Sequence, residues 1–170
     1  DHRDLVLGGL LVGGESRRMG NTKQLIRFRG RTLSEVAAAA LAPHVGQVVL
    51  IGRGEVPPAL ATTPRLEDAA GLRGPLAGML AAMRWAPGAA WVFASCDLPL
   101  ACPEAVEWLL TQRRPDRWAV LPRVSDRFIE PLFALYEPQA GLLLEAVAAS
   151  GRAAPSLLAI NVGARLGVMG

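Results

Sequence analysis

Leu5-Val6-Leu7-Gly8-Gly9-Leu10-Leu11-Val12-Gly13-Gly14-Glu15-Ser16-Arg17-Arg18-Met19-Gly20-Asn21-Thr22-Lys23 is the stretch around which the chain is organised. The apolar run from Leu5 to Val12 reads as a buried strand bounded by glycines. A loop follows in which Gly13, Gly14 and Gly20 are free to take positive φ. Successive backbone N–H groups in such a turn form a concavity that binds anions. Arg17, Arg18 and Lys23 add three cations in or just after it. A strand that runs into a glycine loop with three cations suits polyphosphate; the plainer alternative is a solvated turn, since glycine is the default turn residue.

Lys23 is the only lysine among 18 basic residues. Everywhere else the chain places its positive charge on arginine. A lone lysine points to a site that wants a compact ammonium with rotatable donors instead of a planar fork. Two familiar phosphate motifs are absent. Gly20 is followed by Asn21, which excludes the ordinary P-loop, and no G-x-G-x-x-G follows the first strand.

The 170 residues, 51% hydrophobic and 19% charged, predict one folded domain spanning residues 1–170. A net charge of +3 fits an acidic ligand and is too mild to indicate nucleic acid without a dense basic face. Arg27, Arg29 and Arg31 continue the basic cluster and read as solvated surface. The first apolar run is too short for a membrane span and lacks a cleavage site, so the expectation is a soluble cytoplasmic protein. Cys96 and Cys102, the only cysteines, have no partners for a metal site. Cys96 reads as a small buried residue.

Strand and helix signals then alternate. Thr32-Leu33-Ser34-Glu35 has capping-box spacing and introduces a helix to about Ala42. Val48 to Ile51 suits a buried parallel strand. Residues 55–64 are Pro-rich and irregular. Leu66-Glu67-Asp68 reads as a strand end, and Pro75 as the first turn of a helix to about Ala86. Trp91 to Ala94 is a strand that delivers Ser95-Cys96-Asp97-Leu98-Pro99. A helix from Pro103, a strand from Trp118 to Leu121 and a polar turn from Arg123 to Arg127 follow. Then come a strand from Pro131 to Tyr136, a helix from Pro138 to Ser150, a helical piece near Ser156 and a last strand from Ala159 to Val162. Met79 and Met83 read as core, and the four tryptophans as packing residues. This alternation implies an α/β sandwich with a mostly parallel sheet. In such a sheet ligands bind at the carboxyl ends of the strands, where the glycine loop, Asp68 and Asp97 all fall.

Asp97 is the candidate magnesium ligand, because Mg²⁺ takes one or two carboxylates plus phosphate oxygens and water. A turn cap is the alternative. Asp68 could accept hydrogen bonds from a base or a ribose hydroxyl, or it could likewise be a cap. Gly74-Pro75-Leu76-Ala77-Gly78 would let a flat base lie against backbone; taken alone it is a helix start.

Leu11, Gly13, Gly14, Ser16, Arg18, Met19, Gly20 and Lys23 match without exception the signature L-x-G-G-x-S-x-R-M-G-x-x-K of a nucleotidyltransferase superfamily. With Asp68, the G-P-L-A-G segment, Cys96-Asp97-Leu98-Pro99 and Pro131-Leu132-Phe133-Ala134-Leu135-Tyr136, the chain resembles the bacterial molybdenum cofactor guanylyltransferases. The resemblance implies a Rossmann-like three-layer α/β/α fold. It implies GTP contacts from Leu11, Val12, Gly13, Gly14, Lys23, Asp68, Gly74, Gly78 and Asp97. Mg²⁺ would sit on Asp97, with Lys23, Arg18 and Asp97 as the catalytic groups. GMP would pass from GTP to molybdopterin, with transient contacts to molybdoenzyme maturation proteins and none to nucleic acid or membrane. The acceptor would lie near Glu130 to Tyr136 and Arg152. The family's N-V-N-T-P end is Asn161-Val162-Gly163-Ala164-Arg165 here. That departure leaves room for CTP as donor, for a sugar or alditol phosphate as acceptor, or for a non-catalytic nucleotide-binding module.

Overall fold

A computed structural model of the chain describes residues 5–13, 27–28, 30–96, 101–151 and 167–169. Ten strands and four helices appear among them: β1 (Val6–Gly13), β2 (Arg27–Phe28), β3 (Arg31–Thr32), α1 (Leu33–Leu41), β4 (Val48–Gly52), β5 (Arg65–Leu66), α2 (Pro75–Trp85), β6 (Ala90–Ser95), α3 (Pro103–Thr111), β7 (Ala119–Ser125), β8 (Phe128–Ile129), β9 (Phe133–Tyr136), α4 (Ala140–Ala149) and β10 (Gly167–Met169). The main sheet has the order β10-β7-β9-β6-β1-β4-β5, with β8 paired to β7.

β1 alternates its side chains between two cores. Leu7 and Leu11 join Ile51, Phe93 and Trp91 beneath α2 and α4, which contribute Leu76, Met79, Met83 and Leu144. Val6, Leu10 and Val12 join Leu50 and Val92 beneath α1 and α3, which contribute Leu41, Val106 and Leu109. Helices therefore cover both faces, as the α/β/α expectation requires. Each fully buried leucine of these layers contributes roughly 1.5–3 kcal/mol. Gly9 is where the sheet can carry no side chain: a Cβ there would lie 2.7 Å from Phe93 Cδ1 and 2.8 Å from Ile51 Cδ1.

The helix starts follow the sequence signals. The Glu35 amide donates to Thr32 Oγ1 at 3.1 Å and caps α1. Proline opens α2 and α3 within the first turn, where its missing N–H costs nothing. Met79 and Met83 are buried, as is Cys96. Trp91 is fully buried and stacks on Phe93 with ring centroids 5.6 Å apart, whereas Trp85 is 53% exposed.

The chain departs from the simple alternation in its second half. β9 runs antiparallel to both β6 and β7, between which it is inserted. The physical reason is connection length: a parallel neighbour needs a crossover of about a dozen residues, and only 126–132 separate β7 from β9. The stretch expected as a polar turn, Arg123 to Arg127, is instead mostly strand, because β7 continues to Ser125 and folds back as β8. β10, on the sheet's edge, was not foreseen. The helical piece near Ser156 and the strand from Ala159 to Val162 lie outside the described residues.

Parallel pairing joins β5, β4, β1 and β6. From β1 the chain moves outward to β4 and β5, and α2 then carries it back to β6 on the other side of β1. That reversal makes the carboxyl edge between β1 and β6 the switch point of the sheet, the place where such folds bind ligands.

Candidate functional site

At that edge β1 ends on Gly13, with φ +65°, beside Gly52 at the end of β4, with φ +110°. The two backbones approach so closely that a Cβ on Gly52 would stand 2.8 Å from the Gly13 carbonyl oxygen. The Gly54 amide donates to that same carbonyl. Arg65 on β5 braces the turn from the other side: its Nη1 donates to the Gly52 carbonyl at 3.0 Å and to the Gly54 carbonyl at 2.9 Å. The exit of β1 into the glycine loop is thus held by Gly52, Gly54 and Arg65, which sequence reasoning did not assign to the site. The signal available was Gly52-Arg53-Gly54 directly after an apolar run. The position a Cβ would take on Gly13 is open, with nothing within 4 Å.

Leu11 and Val12 are 7% and 1% exposed. Their side chains belong to the two cores, so what they present to a ligand is main chain. The Leu11 carbonyl already accepts the Cys96 amide at 3.2 Å, tying the ends of β1 and β6 together.

Asp68 stands two residues beyond β5, at the same edge, and is exposed. The Ala69 amide donates to the Ala77 carbonyl at 3.0 Å, which docks this loop on the first turn of α2. Gly78 makes the docking possible. A Cβ there would meet Ile51 Cγ2 at 2.9 Å, Leu11 Cδ2 at 3.1 Å and Asp68 Oδ1 at 3.2 Å. Partial burial against this surface raises the Asp68 pKa above the ordinary aspartate value, and the Arg53 guanidinium opposes the shift. Arg53 also makes a long 3.4 Å contact with Glu67, both side chains being mostly exposed. Gly74 precedes α2 with φ +71°, a conformation that favours glycine, and the space around it is open.

Of the residues read from sequence, the structure brings Leu11, Asp68 and Gly78 into one neighbourhood and places Val12 and Gly13 at the adjoining end of β1. Gly74 begins the helix that carries Gly78. Gly14, Arg18, Lys23 and Asp97 lie outside the described residues, as does Arg152. In the segment near which the acceptor was expected, Glu130, Pro131 and Phe133 to Tyr136 are themselves buried. β9 is a central strand covered on both faces, so its P-L-F-A-L-Y sequence serves the core.

No group of three or more His, Cys, Asp or Glu residues that could hold a metal ion exists among the described residues. A magnesium ion does not need one, since one or two carboxylates suffice when substrate phosphates and water complete the shell. Asp97, the candidate ligand, lies outside the described residues. No helix among the described residues is long and apolar enough to cross a membrane.

An α/β/α sandwich whose switch point lies beside a glycine-terminated first strand belongs to the α/β domains that bind ligands at the carboxyl edge of the sheet. Residues 8–164 match the model of the MobA-like NTP transferase domain, and the chain belongs to that family. A protein of Synechocystis sp. named molybdenum cofactor biosynthesis bifunctional protein is 36% identical over 138 residues, covering 78% of this chain and 39% of its own length. One of Bacillus licheniformis named probable molybdenum cofactor guanylyltransferase is 38% identical over 129 residues, covering 75% of this chain and 66% of its own length. The chain therefore spans about two fifths of the first relative and just under two thirds of the second. The crystal structure of molybdopterin-guanine dinucleotide biosynthesis protein A from Archaeoglobus fulgidus superposes with a TM-score of 0.71 at 27% identity, covering 96% of this chain and 81% of that one.

Proposed function

We propose that this domain transfers GMP from GTP to the terminal phosphate of molybdopterin and releases pyrophosphate. The observation that carries the reading is the meeting of Asp68 and Gly78 beside the Gly13–Gly52 junction, at the switch point of a fold whose relatives bear guanylyltransferase names.

In this reaction an oxygen of the acceptor phosphate attacks the α-phosphorus of GTP. A new P–O bond forms, the bond between the α-phosphorus and the bridging oxygen to the β-phosphate breaks, and pyrophosphate leaves with the electron pair. The nucleophile is already an anion, so the protein's task is positioning and charge neutralisation. Main-chain groups at the end of β1 would face the triphosphate, with Lys23 and Arg18 neutralising it and the departing pyrophosphate. Asp68 would accept hydrogen bonds from guanosine, and Gly78, buried against Ile51 and Leu11, would let α2 seat closely beside that carboxylate. Asp97 would hold Mg²⁺, which supplies Lewis-acid stabilisation of phosphate charge when bound.

Titration calorimetry with GTP, CTP, ATP and UTP, each with Mg²⁺, tests the donor. Selective GTP binding is expected. Selective CTP binding would keep the chemistry and overturn the base assignment, and binding of none of the four would reject the reading.

Asp68→Asn should leave the melting temperature at pH 7 equal or higher while GTP affinity falls at least tenfold. The sign follows from the raised pKa. The folded state holds the Asp68 proton more tightly than the unfolded state does. This group therefore favours folding most at acid pH, and that contribution is lost as pH rises through its folded value. At neutral pH the charge is a mild burden that asparagine removes. Thermal melts at pH 4 to 8 beside GTP titrations check both halves; unchanged GTP affinity would remove Asp68 from the nucleotide site.

A further inference from the structure

β9 itself is buried, and the topology sets an exposed hairpin directly beside it. β7 is antiparallel to β9, which is antiparallel to β6, so β7 runs in the direction of β6 and β1. Its carboxyl end therefore lies on the edge that holds Gly13 and Asp68. From that end residues 123–129 continue as a hairpin with a two-residue tip, Asp126-Arg127. Strand spacing of about 4.8 Å puts β7 roughly 10 Å from β6 along the edge.

The root of this hairpin is firmly held. The Glu130 amide donates to the Pro122 carbonyl at 2.9 Å. The Glu130 carboxylate, 5% exposed, accepts the Leu132 amide at 2.9 Å. The buried Tyr136 hydroxyl donates to the Pro131 carbonyl at 2.8 Å, and burial together with the Glu130 charge pushes its pKa up, so it remains a donor. The Leu132 carbonyl accepts the Ser95 amide at 2.9 Å, two residues before Asp97 in the chain. The arm itself is exposed from Arg123 to Arg127. Its pairing slips between Arg123 and Ser125, a bulge at Val124, which is half exposed. Bulges of this kind re-aim side chains and concentrate beside active sites. Arg123 Nη1 makes one long 3.5 Å bond to the Asp126 carbonyl, and neither Arg123 nor Arg127 forms an ion pair among the described residues. Asp126 is the one carboxylate on the arm, which leaves it a net positive charge.

We infer that the hairpin of residues 123–129 is the acceptor arm, and that Arg123 and Arg127 bind the phosphate monoester of the acceptor while the exposed Val124 offers an apolar contact to its ring system. The inference rests on the transfer reaction proposed above. A rigid root beside the end of β6 and an exposed cationic arm would hold a phosphate at the edge where the α-phosphorus of the donor is presented. Guanidinium groups suit it, because their planar fork matches phosphate oxygens.

The test is direct binding of molybdopterin, followed by pterin fluorescence, to the wild-type protein and to Arg123→Gln/Arg127→Gln, with GTP·Mg²⁺ titrated separately into both. Arg114→Gln/Arg117→Gln, on the opposite edge of the sheet, removes the same charge and serves as control. The expected result is molybdopterin affinity lower by about tenfold per arginine in the hairpin variant, unchanged in the control, and GTP affinity within twofold throughout. Equal molybdopterin affinity in wild type and hairpin variant would overturn the inference, as would an equal loss in the control. Failure of the wild type to bind molybdopterin at all would overturn it too. Failure of the wild type to bind GTP while molybdopterin binding still depends on the arm would strike the donor reading alone.

Discussion

Asp97→Asn is expected to lower Mg²⁺-dependent pyrophosphate release by roughly 10²–10³-fold, the usual cost of removing one group that stabilises transition-state charge. Melting temperature should move little. Asp97 follows Cys96 directly, and the Cys96 amide is bonded to the Leu11 carbonyl, so the chain enters this residue from the switch point of the sheet. Asparagine keeps the shape and a neutral oxygen but loses the charge that a hard divalent cation requires. Turnover measured against Mg²⁺ concentration gives the decisive comparison. A variant with the wild-type magnesium dependence would show that the metal is held elsewhere and would remove Asp97 from the mechanism.

Gly78→Val carries the second large effect. The first added carbon would stand 2.9 Å from Ile51 Cγ2, a branch held close to its buried strand, 3.1 Å from Leu11 Cδ2 and 3.2 Å from Asp68 Oδ1. Overpacking of this kind costs about 1–3 kcal/mol, and the two further methyl carbons place valine at the upper end. For a domain of this size that corresponds to a fall of roughly 5–10 °C in melting temperature. GTP binding should fall together with stability, because Gly78 lies where α2, the central strands and the Asp68 loop meet. Calorimetric melts and nucleotide titrations measure the two effects. A valine variant that melts like the wild type would mean that α2 can shift without cost, and Gly78 would then owe its place to nothing in the packing.

Much of the fold was legible because its signals are local. The apolar run of β1, the Thr32 cap, and Pro75 and Pro103 at helix starts each depend on a few neighbouring residues, and each formed where it was read. The second half was harder for a physical reason. The direction of a strand is not written in its own residues, so Phe133 to Tyr136 read as a strand but not as an antiparallel one. The hairpin at Arg123 to Ile129 was hidden because its arm is polar, and polar residues without a buried face look like a turn. The P-L-F-A-L-Y motif stands out in the sequence, and its Phe133 to Tyr136 side chains are spent on the core.

The glycines divide in the same way. Sequence alone settled that an apolar first strand runs up to Gly13, that Asp68 stands just past a strand end, and that the chain largely alternates strand and helix, since these are matters of residue type and spacing. Tertiary structure decided why particular glycines stand where they do. Gly74 is needed for a positive φ before α2, Gly52 for the close passage of the Gly13 carbonyl, and Gly78 for the approach of a helix to Ile51 and Asp68. It also recruited Arg65, 13 and 11 residues away from the carbonyls it braces. Such contacts join segments that are distant along the chain, and only the folded arrangement of the sheet brings them within reach.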